Sequence, residues 1–304
     1  MNRLSKRIKL AVIVALAIGM FVAPTMAASF DNAVARWRFA DLNDSNGANS
    51  ALSYFTYGPA HPHAWSENNA ETIPGAGSNN LHGRVELPID GNYEYDTFRA
   101  GTGAGGELKF PGDATIWSRV RFPSKQEGKG SASFGFYAAP NGDTWAGGMR
   151  TLQNGDLEEG IHSDPAKSGA SAQSLEVPFD IEVGGDTPDF NVKWYDLSVV
   201  NDTTAGRWTL YVYDTEAGTL IGSDTATGYG GGANGVGMLE SLNYIDLAAN
   251  SWGGIIDIES AAVWNQALSA DQIDALTNGT IPEPASVALL GLGGLIMVGR
   301  RRIA

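Results

Sequence analysis

The chain has 304 residues, with 34 acidic and 20 basic side chains and a formal net charge of −14 at pH 7. It contains no cysteine, so a hydrophobic core and not disulfide bonds must hold the fold together. The acidity excludes binding to nucleic acid or anionic lipid through overall charge. The length is sufficient for one sizeable core, and β domains of this size commonly form a single unit.

The N-terminus has the pattern of a secretory signal peptide. Four Lys and Arg residues within the first nine positions precede an apolar run at 10–23. Small residues follow, and the cleavage site is predicted at Ala27 or Ala28. We expect residues 1–27 to be removed on export. An uncleaved anchor is the alternative, and the small residues at 27–29 argue against it.

Residues 1–27 and 285–304 are basic and contain no Asp or Glu, so the segment between them is more acidic than the whole chain. Residues 28–284 hold 13 Lys and Arg against 34 Asp and Glu, a net charge of −21. Such a charge favours solubility outside the cell. We expect no cofactor, with Ca²⁺ bound by carboxylate-rich loops as the alternative. The loop at 41–47 has a suitable composition, but Leu42 falls at the first ligand position of a Ca²⁺ loop.

Short alternating runs between Gly, Asn and Asp residues predict β-strands along the body. In the second run Ile116 and Val120 lie on the face opposite to Arg119 and Arg121. The predicted strands are 33–39, 114–122, 131–138, 191–200, 206–213 and 255–264. Five tryptophans in phase with strands are predicted to be core residues, namely Trp37, Trp117, Trp194, Trp208 and Trp264.

One helix is predicted in the body, at residues 270–277. Ser269 is a suitable N-cap, Gln272 completes a capping box, and Asn278-Gly279 ends the helix. Many strands with frequent turns and almost no helix predict an all-β sandwich or jelly roll in one domain, residues 28–279.

The C-terminal half resembles laminin-G-like domains, which belong to the concanavalin A-like lectin/glucanase fold. The strand at 194–200, the turn at 202–206 and the strand at 208–213 are similar to the central hairpin of that family. Residues 258–269 are similar to its closing strand, which leads into the short helix. Glu259 stands where the family more often has Asp, and Ala262 and Gln266 replace basic residues. The resemblance implies a concanavalin A-like β-sandwich (jelly roll) with one short C-terminal helix.

The sequence Ile-Ile-Asp-Ile-Glu at 255–259 resembles the Glu-Ile-Asp-Ile-Glu strand of bacterial β-glucanases. Strand alternation predicts that positions 255, 257 and 259 share one face. Ile255 occupies the position of that family's nucleophile, so the carboxylate pair about 5–5.5 Å apart that a retaining glycosidase needs cannot form here. We therefore expect a non-catalytic protein in which Asp257 and Glu259 are solvated or face Ca²⁺ at a strand edge. A divergent glycoside hydrolase is the alternative.

Two groups of side chains outside this strand are candidates for binding. His61, His63 and His82 suggest a metal site, but solvated histidines are the favoured interpretation and no metal ligands are assigned. Aromatic rings in polar, Gly-rich segments are suited to stacking on sugars, with packing beneath their own loops as the alternative. The candidate glycan-binding residues are Trp65, Tyr93, Tyr95, Trp145 and Tyr229.

The last residues, 280–304, contain three ordered parts that resemble the PEP-CTERM sorting signal of Gram-negative, biofilm-forming bacteria. An apolar run at 285–298, shorter than the roughly 20 residues of a spanning helix, separates a Pro-Glu-Pro motif from a basic cluster. The residues of the signal are Pro282, Glu283, Pro284, Arg300, Arg301 and Arg302. The resemblance implies an exosortase as partner, transient membrane association through the apolar segment, and export to the cell surface or extracellular matrix. An ordinary C-terminal membrane anchor is the alternative.

Export and the fold resemblance together lead to three hypotheses about function. The favoured one is a non-catalytic protein that binds extracellular polysaccharide. The second is a purely structural matrix or biofilm protein with no specific ligand, and the third is the divergent glycoside hydrolase.

Overall fold

The structure, a computed structural model, describes residues 29–39, 52–57, 64–66, 82–87, 95–101, 112–124, 132–138, 144–154, 157–164, 175–227, 242–251 and 253–279. Within these residues the chain forms antiparallel strands and one α-helix, and Ser29–Thr280 make one compact unit. The strands build two sheets that enclose a common core. This confirms the predicted all-β sandwich with one short C-terminal helix.

The strands follow one another as β1 (Ala35–Trp37), β2 (Leu52–Tyr57), β3 (Ala64–Ser66), β4 (His82–Leu87), β5 (Tyr95–Gly101), β6 (Ala114–Arg121), β7 (Ala132–Ala138), β8 (Thr144–Asn154), β9 (Leu157–Asp164), β10 (Leu175–Pro178), β11 (Tyr195–Asp202), β12 (Arg207–Asp214), β13 (Thr219–Thr227), β14 (Leu242–Ser251) and β15 (Gly254–Trp264). The helix α1 spans Ala270–Asn278.

In the first sheet the strand order is β13-β12-β11-β6-β15-β4-β3, and β1 also pairs with β15. The second sheet has the order β10-β9-β8-β7-β14-β5-β2. The closing strand β15 is therefore central. It pairs with β6 along one side, and along the other side with β4 over Gly254 to Ile258 and then with β1 over Ala261 to Val263.

The core lies between the sheets and is built from one face of each strand, as period-2 alternation requires. From the first sheet it includes Ile116, Val120, Leu197 and Leu210, and all five predicted core tryptophans are buried. Strand β6 is buried along its whole length, so its second face is covered as well.

The helix α1 forms where the capping signals predict it. The Ser269 side chain accepts a hydrogen bond from the amide of Gln272, and the Gln272 side chain accepts one from the Ser269 amide, which is a capping box. Gly279 follows with φ of 61°, a left-handed conformation that glycine adopts without strain. Ile273 and Leu276 are buried, so α1 is packed against the body.

Two covers lie on the outer face of the first sheet, the face that points away from the second sheet. At one end Phe30 packs against Trp117 and Trp264, with ring centroids 4.9 and 5.9 Å apart. The chain leading into α1 is held there as well, because the Leu268 amide donates to the hydroxyl of Thr115 at 2.9 Å. At the other end Phe190 and Trp194, in the segment before β11, form a second cover.

Candidate functional site

The outer face of the first sheet carries a group of charged residues from several strands, including the two carboxyl groups of the closing strand. Ile256 and Ile258 belong to the core between the sheets, so Asp257 points to the opposite face. The same alternation on β6 sends Arg119 and Arg121 outward between core residues. The ionisable residues of this face include His82, Arg84, Arg119, Arg121, Asp196, Asp257 and Glu259.

Asp257 is the centre of a buried ion-pair network. It lies directly opposite Arg84 in β4 and directly opposite Arg121 in β6. Arg84 donates two hydrogen bonds to the carboxylate, at 2.7 and 2.8 Å, and Arg121 donates a third at 2.8 Å. The Asp257 side chain has no exposed surface. Two guanidinium groups therefore pair with this carboxylate and satisfy its lone pairs.

The second cover closes over this network. The guanidinium of Arg84 lies 4.2 Å from the ring centre of Phe190, and that of Arg121 lies 4.7 Å from the ring centre of Trp194. Arg121 also donates to the backbone carbonyl of Phe190. Stacked rings exclude water from the charged groups while still attracting them. The prediction that Asp257 is solvated or faces Ca²⁺ at a strand edge is wrong, because β15 is a central strand and both neighbours of this position are arginines.

His82 belongs to the same network. It is buried, its Nε2 lies 3.5 Å from the Asp257 carboxylate and 3.3 Å from the Arg84 guanidinium, and its ring packs edge-on against Trp194. The solvated histidine expected from sequence is therefore wrong for His82. Positions 61 and 63 lie outside the described residues. Among the residues that are described, no group of three or more His, Asp or Glu side chains is arranged to hold a metal ion.

A second ion pair lies one row further along the same face. Arg119 and Asp196 are direct partners across β6 and β11, and Arg119 donates two hydrogen bonds of 2.6 and 2.8 Å to the carboxylate. Thr215 donates a third at 3.0 Å. Burial acts to lower the pKa of Arg119, but the charge of Asp196 and its hydrogen bonds outweigh that effect and raise the pKa. The pair is buried and structural.

Glu259 lies at an irregularity in β15. The register with β6 shifts between Ile258 and Ser260, and the ladders with β4 and β1 end at Ile258 and begin at Ala261. Because Ile258 and Ala261 are both core residues, this β-bulge turns Glu259 and Ser260 together toward the outer face. Positions 255, 257 and 259 therefore share the outer face, as strand alternation predicts, and the alternation breaks only at Ser260.

The environment of Glu259 changes its acidity. Burial raises the pKa of its carboxyl to about 7, against the attraction of Arg119, Arg36 and Arg38, and Asp196 adds to the rise. Glu259 is partly exposed, whereas Asp257 two residues earlier is fully enclosed. The sequence prediction of a solvated strand edge is therefore wrong for Glu259 as well. At neutral pH this carboxyl is divided between its charged and neutral forms.

Arg36 on β1 and Arg38 just after it both act electrostatically on Glu259. Arg36 faces outward because Ala35 and Trp37 are core residues, and its guanidinium lies 4.0 Å from the ring centre of Phe30. Burial lowers the pKa of Arg36 to about 10, and the charge of Arg38 lowers it further. Arg38, which follows the strand, is exposed. A positive charge is thus held where burial and a like charge both oppose it.

Ile255 stands where the β-glucanase family has its nucleophile. The side chain is buried, and the backbone amide donates to the hydroxyl of Ser124 at 2.7 Å. The carboxylate on the same face, Asp257, is held by its two arginines. The strand therefore presents an apolar side chain at the family's nucleophile position, and Asp257 on the same face is not free to replace the missing carboxylate because two arginines bind it.

The structure describes the backbone positions of three of the five candidate glycan-binding residues. Trp65 lies on β3 opposite Gly83, Tyr95 lies on β5 opposite Tyr57, and Trp145 lies on β8 opposite Tyr137. They fall on both sheets. The other two, Tyr93 and Tyr229, lie outside the described residues, as does the acidic loop at 41–47.

Both predicted sorting segments also lie outside the described residues. This holds for the cleavage positions Ala27 and Ala28, for the Pro-Glu-Pro motif and for the arginine cluster. In the described part of the chain, no helix combines the length and the apolar character needed to cross a membrane.

Arg119, Arg121, Asp196 and Asp257 lie in predicted strands, but their role was missed. Strand β4, which carries His82 and Arg84, was not predicted. The available signal was the spacing of Arg119 and Arg121 on an apolar strand, since two buried arginines require buried carboxylates. Which carboxylates those are depends on strand pairing, and Asp196 and Asp257 lie 77 and 136 residues from their partners on β6.

Comparison with known proteins identifies the C-terminus. Residues 280–302 match the family model of the PEP-CTERM protein-sorting motif. The chain thus carries a signal for export and cell-surface sorting. No curated protein matches the chain.

Solved structures share the fold of the body at low sequence identity. The binding domain of botulinum neurotoxin DC in complex with rat synaptotagmin II is 11% identical with a TM-score of 0.53, covering 83% of this chain and 52% of that chain. The same domain in complex with SialylT is 12% identical with a TM-score of 0.50, covering 83% and 52%. The third structure is of botulinum neurotoxin type C, whose cell entry is dependent upon interaction with two ganglioside molecules. It is 12% identical with a TM-score of 0.52, covering 82% of this chain and 51% of that chain.

The chain spans about half the length of these neurotoxin chains, so the likeness concerns the sandwich alone. The chain therefore carries a PEP-CTERM sorting motif behind a β-sandwich whose fold is similar to that of the botulinum neurotoxin binding domains.

Proposed function

We propose that this is an exported protein of the cell surface or extracellular matrix that binds extracellular polysaccharide without cleaving it. Its body is a laminin-G-like, concanavalin A-like sandwich, residues 28–279, between a cleaved signal peptide and an exosortase-processed tail. The observation that carries the proposal is the sorting motif at residues 280–302, because it delivers this sandwich to the environment where polysaccharide is found.

The structural neighbours support a binding role. They are named as binding domains, and one is described as interacting with two ganglioside molecules. The likeness extends over about half of those chains, so no ligand site is transferred from them. For this chain we retain Trp65, Tyr93, Tyr95, Trp145 and Tyr229 as candidate sugar-stacking residues.

The closing strand supports a non-catalytic role. Hydrolysis with retention needs one free carboxylate as nucleophile and one carboxyl as acid, about 5–5.5 Å apart. Ile255 supplies no carboxyl group, and Asp257 is ion-paired to Arg84 and Arg121. Glu259 is the other carboxyl of this strand, and the ion-paired Asp257 is not free to act with it. Replacing Ile255 by Glu should not create activity, because the new side chain would enter a buried position beside an occupied network.

A glycan array with the exported protein tests this proposal. We expect binding to at least one polysaccharide class, with a Kd of roughly 10 µM to 1 mM, equivalent to about 4–7 kcal/mol. Absence of binding to every glycan would favour a purely structural matrix protein. Release of reducing sugar from β-glucans by the unmodified protein would overturn the non-catalytic assignment. Repeating the array with EDTA tests the Ca²⁺ alternative, since a required ion would weaken binding and lower the Tm together.

A further inference from the structure

The outer face of the first sheet is covered over its central strands and open over β12 and β13. Every residue of β6 is buried, and so is every residue of β11 except the half-buried Asp202. Ten of the eleven residues of β15 are buried as well. On β13, by contrast, exposed side chains alternate with covered ones from position 223 onward, and β12 begins with an exposed arginine. The outer surface of these two strands is therefore accessible to a ligand.

Strand alternation identifies the side chains on this surface. Leu210 and Val212 on β12 and Ala226 on β13 are core residues, so the side chains between them point outward. Directly opposite residues of paired strands share one face of a sheet. We call the resulting surface the β12–β13 face. It consists of three directly opposite pairs, Arg207 and Thr227, Thr209 and Thr225, and Tyr211 and Ser223.

Tyr211 supplies an accessible ring on this face. It is half-buried, whereas Tyr213 two residues further along is 2% exposed. Burial raises the pKa of Tyr213 to about 12, and Asp274 and Asp271 of α1 add to the rise, so α1 lies beside Tyr213. Leu220, directly opposite Tyr213, is 47% exposed. Apolar surface therefore remains accessible next to the helix, as stacking on a sugar ring requires.

Hydrogen-bonding groups line the same face. Ser223, Thr225 and Thr227 are exposed along β13, and the hydroxyls of Thr209 and Thr225 lie 3.1 Å apart. The Arg207 side chain is 54% exposed. Its charge opposes the rise in the pKa of Tyr211 that burial causes, so the guanidinium acts on the phenol. The ring, the guanidinium and the row of hydroxyls thus belong to one surface.

The charge of the face indicates which class of polysaccharide suits it. Of its six residues only Arg207 is charged, and that guanidinium donates a hydrogen bond of 3.1 Å to the Asp202 carboxylate. The face is therefore neutral. The segment 28–284 carries a net charge of −21, so an acidic polysaccharide would be repelled on approach. A neutral glycan suffers no such repulsion.

The spacing of side chains on a sheet also suits a chain of sugar rings. Neighbouring strands lie about 4.8 Å apart, and residues that share a face of one strand lie about 6.7 Å apart. Both spacings are comparable to the size of a pyranose ring. An extended glycan with one ring over Tyr211 therefore brings the hydroxyls of the adjoining rings to the polar side chains around it.

We propose that the β12–β13 face binds a neutral, extended glucan, with Tyr211 stacked on one pyranose ring and with Arg207, Ser223 and Thr225 hydrogen-bonded to hydroxyls of the adjoining rings. This inference rests on the proposed function and names its ligand class and site. Stacking buries the accessible part of the Tyr211 ring, and the sugar hydroxyls replace the water that solvates the polar side chains. No proton or ion is exchanged on binding.

The test is calorimetric titration of the exported protein with cellohexaose and, in parallel, with a galacturonate hexamer. We expect cellohexaose to bind with an affinity that is the same at low and high salt, since no ionic contact forms. The galacturonate hexamer should bind at least about tenfold more weakly. Tyr211→Ala should weaken cellohexaose binding at least about tenfold, whereas Tyr211→Phe, which keeps the ring, should stay within about threefold of the unmodified protein.

A second substitution tests the hydroxyl row. Thr225→Val removes one exposed hydroxyl at nearly unchanged volume and should weaken cellohexaose binding about threefold to tenfold. Thr187→Val, at an exposed loop position, is the matched control and should bind like the unmodified protein. Circular dichroism checks that each variant is folded. Should Tyr211→Ala fail to fold, Thr225→Val decides the question, because its position on the surface tolerates the change.

The outcomes separate this inference from the proposed function. Cellohexaose binding that is unchanged in folded Tyr211→Ala, or in Thr225→Val where that variant decides, would overturn the site. Loss of binding in Trp65→Ala or Trp145→Ala instead would also overturn it and leave the proposed function standing. Binding of other array glycans without cellohexaose binding would do the same. Failure of every glycan to bind would overturn both.

Discussion

Asp257 on the closing strand lies directly opposite Arg84 on β4, and two hydrogen bonds of 2.7 and 2.8 Å join the carboxylate to the guanidinium. The same relationship recurs in the second sheet, where Arg99 lies opposite Asp246 and donates bonds of 2.7 and 2.8 Å. Direct cross-strand partners are close enough for both ends of a bidentate pair to meet without strain. Arginine–aspartate pairs between directly opposite residues of neighbouring strands thus occur in both sheets of this sandwich.

Removing one member of the network should destabilise the protein strongly. Asp257→Asn leaves Arg84 and Arg121 without their counter-charge on a covered face, and we expect a loss of about 3–5 kcal/mol in the free energy of unfolding. Urea denaturation measures it. Asp186→Asn, at an exposed loop position, is the control and should change stability by less than about 0.5 kcal/mol. A loss below about 1 kcal/mol for Asp257→Asn would contradict the structural role of the network.

Truncation of a core tryptophan should be equally costly. Trp208 is buried on β12, and Trp208→Ala should lower stability by about 3–5 kcal/mol, as large-to-small core changes do. The Tm in a thermal melt reports it. Leu220→Ala on the neighbouring β13 serves as the control, because Leu220 is 47% exposed. An unchanged Tm for Trp208→Ala would mean that the strand assignment is wrong.

Glu259 should make stability depend on pH in a defined direction. The pKa of its carboxyl is raised from 4.5 to about 7 in the folded state, so the native protein holds a proton that the unfolded chain has released. The stabilisation is complete below about pH 4.5 and is lost as the pH rises through about 7. Its size is on the order of 3 kcal/mol.

Comparison with Glu259→Gln isolates this contribution from other titrating groups. The difference in unfolding free energy between the two proteins should change between pH 4.5 and pH 8, with the unmodified protein losing stability relative to the variant. Parallel stability curves across that range would contradict the raised pKa of Glu259.

The helix cap offers a smaller and local test. Ser269→Ala removes the hydrogen bond to the Gln272 amide and should cost about 1 kcal/mol. Ser223→Ala, at an exposed position of β13, should have almost no effect. Chemical denaturation measures the free energy of unfolding of both variants under one condition. The comparison shows whether the loss comes from the helix cap or from removing a serine hydroxyl at any position. Equal stabilities would show that the capping box does not stabilise α1.

Processing at both ends can be followed by mass. We expect the exported protein to begin near Ala28 or Ser29 and to lack the apolar segment and arginine cluster. Intact-mass spectrometry of the extracellular fraction measures both ends. Glu283→Ala should leave the protein in the membrane fraction, because the Pro-Glu-Pro motif is the part presented for recognition. Finding Arg300 to Arg302 on the extracellular protein would contradict removal of the tail.

The sequence by itself determined the fold class, the helix and the sorting motif. Each depends on short-range patterns: period-2 alternation for the strands, a serine and a glutamine three residues apart for the cap, and three ordered parts for the tail. The alternation also located the core faces, since Ile116 and Val120 on β6 are buried between the sheets as predicted.

The tertiary structure decided what the charged residues of those same strands do. Asp257 was predicted to be solvated, yet its environment is set by Arg121, 136 residues away in the chain. A strand pattern shows which face a side chain occupies, but it does not show which strands lie beside it or what covers that face. The bulge at Glu259 likewise exists only relative to β6, because an extra residue is defined by the register of a paired strand. Long-range pairing thus produced both the buried network and the one accessible carboxyl of the closing strand.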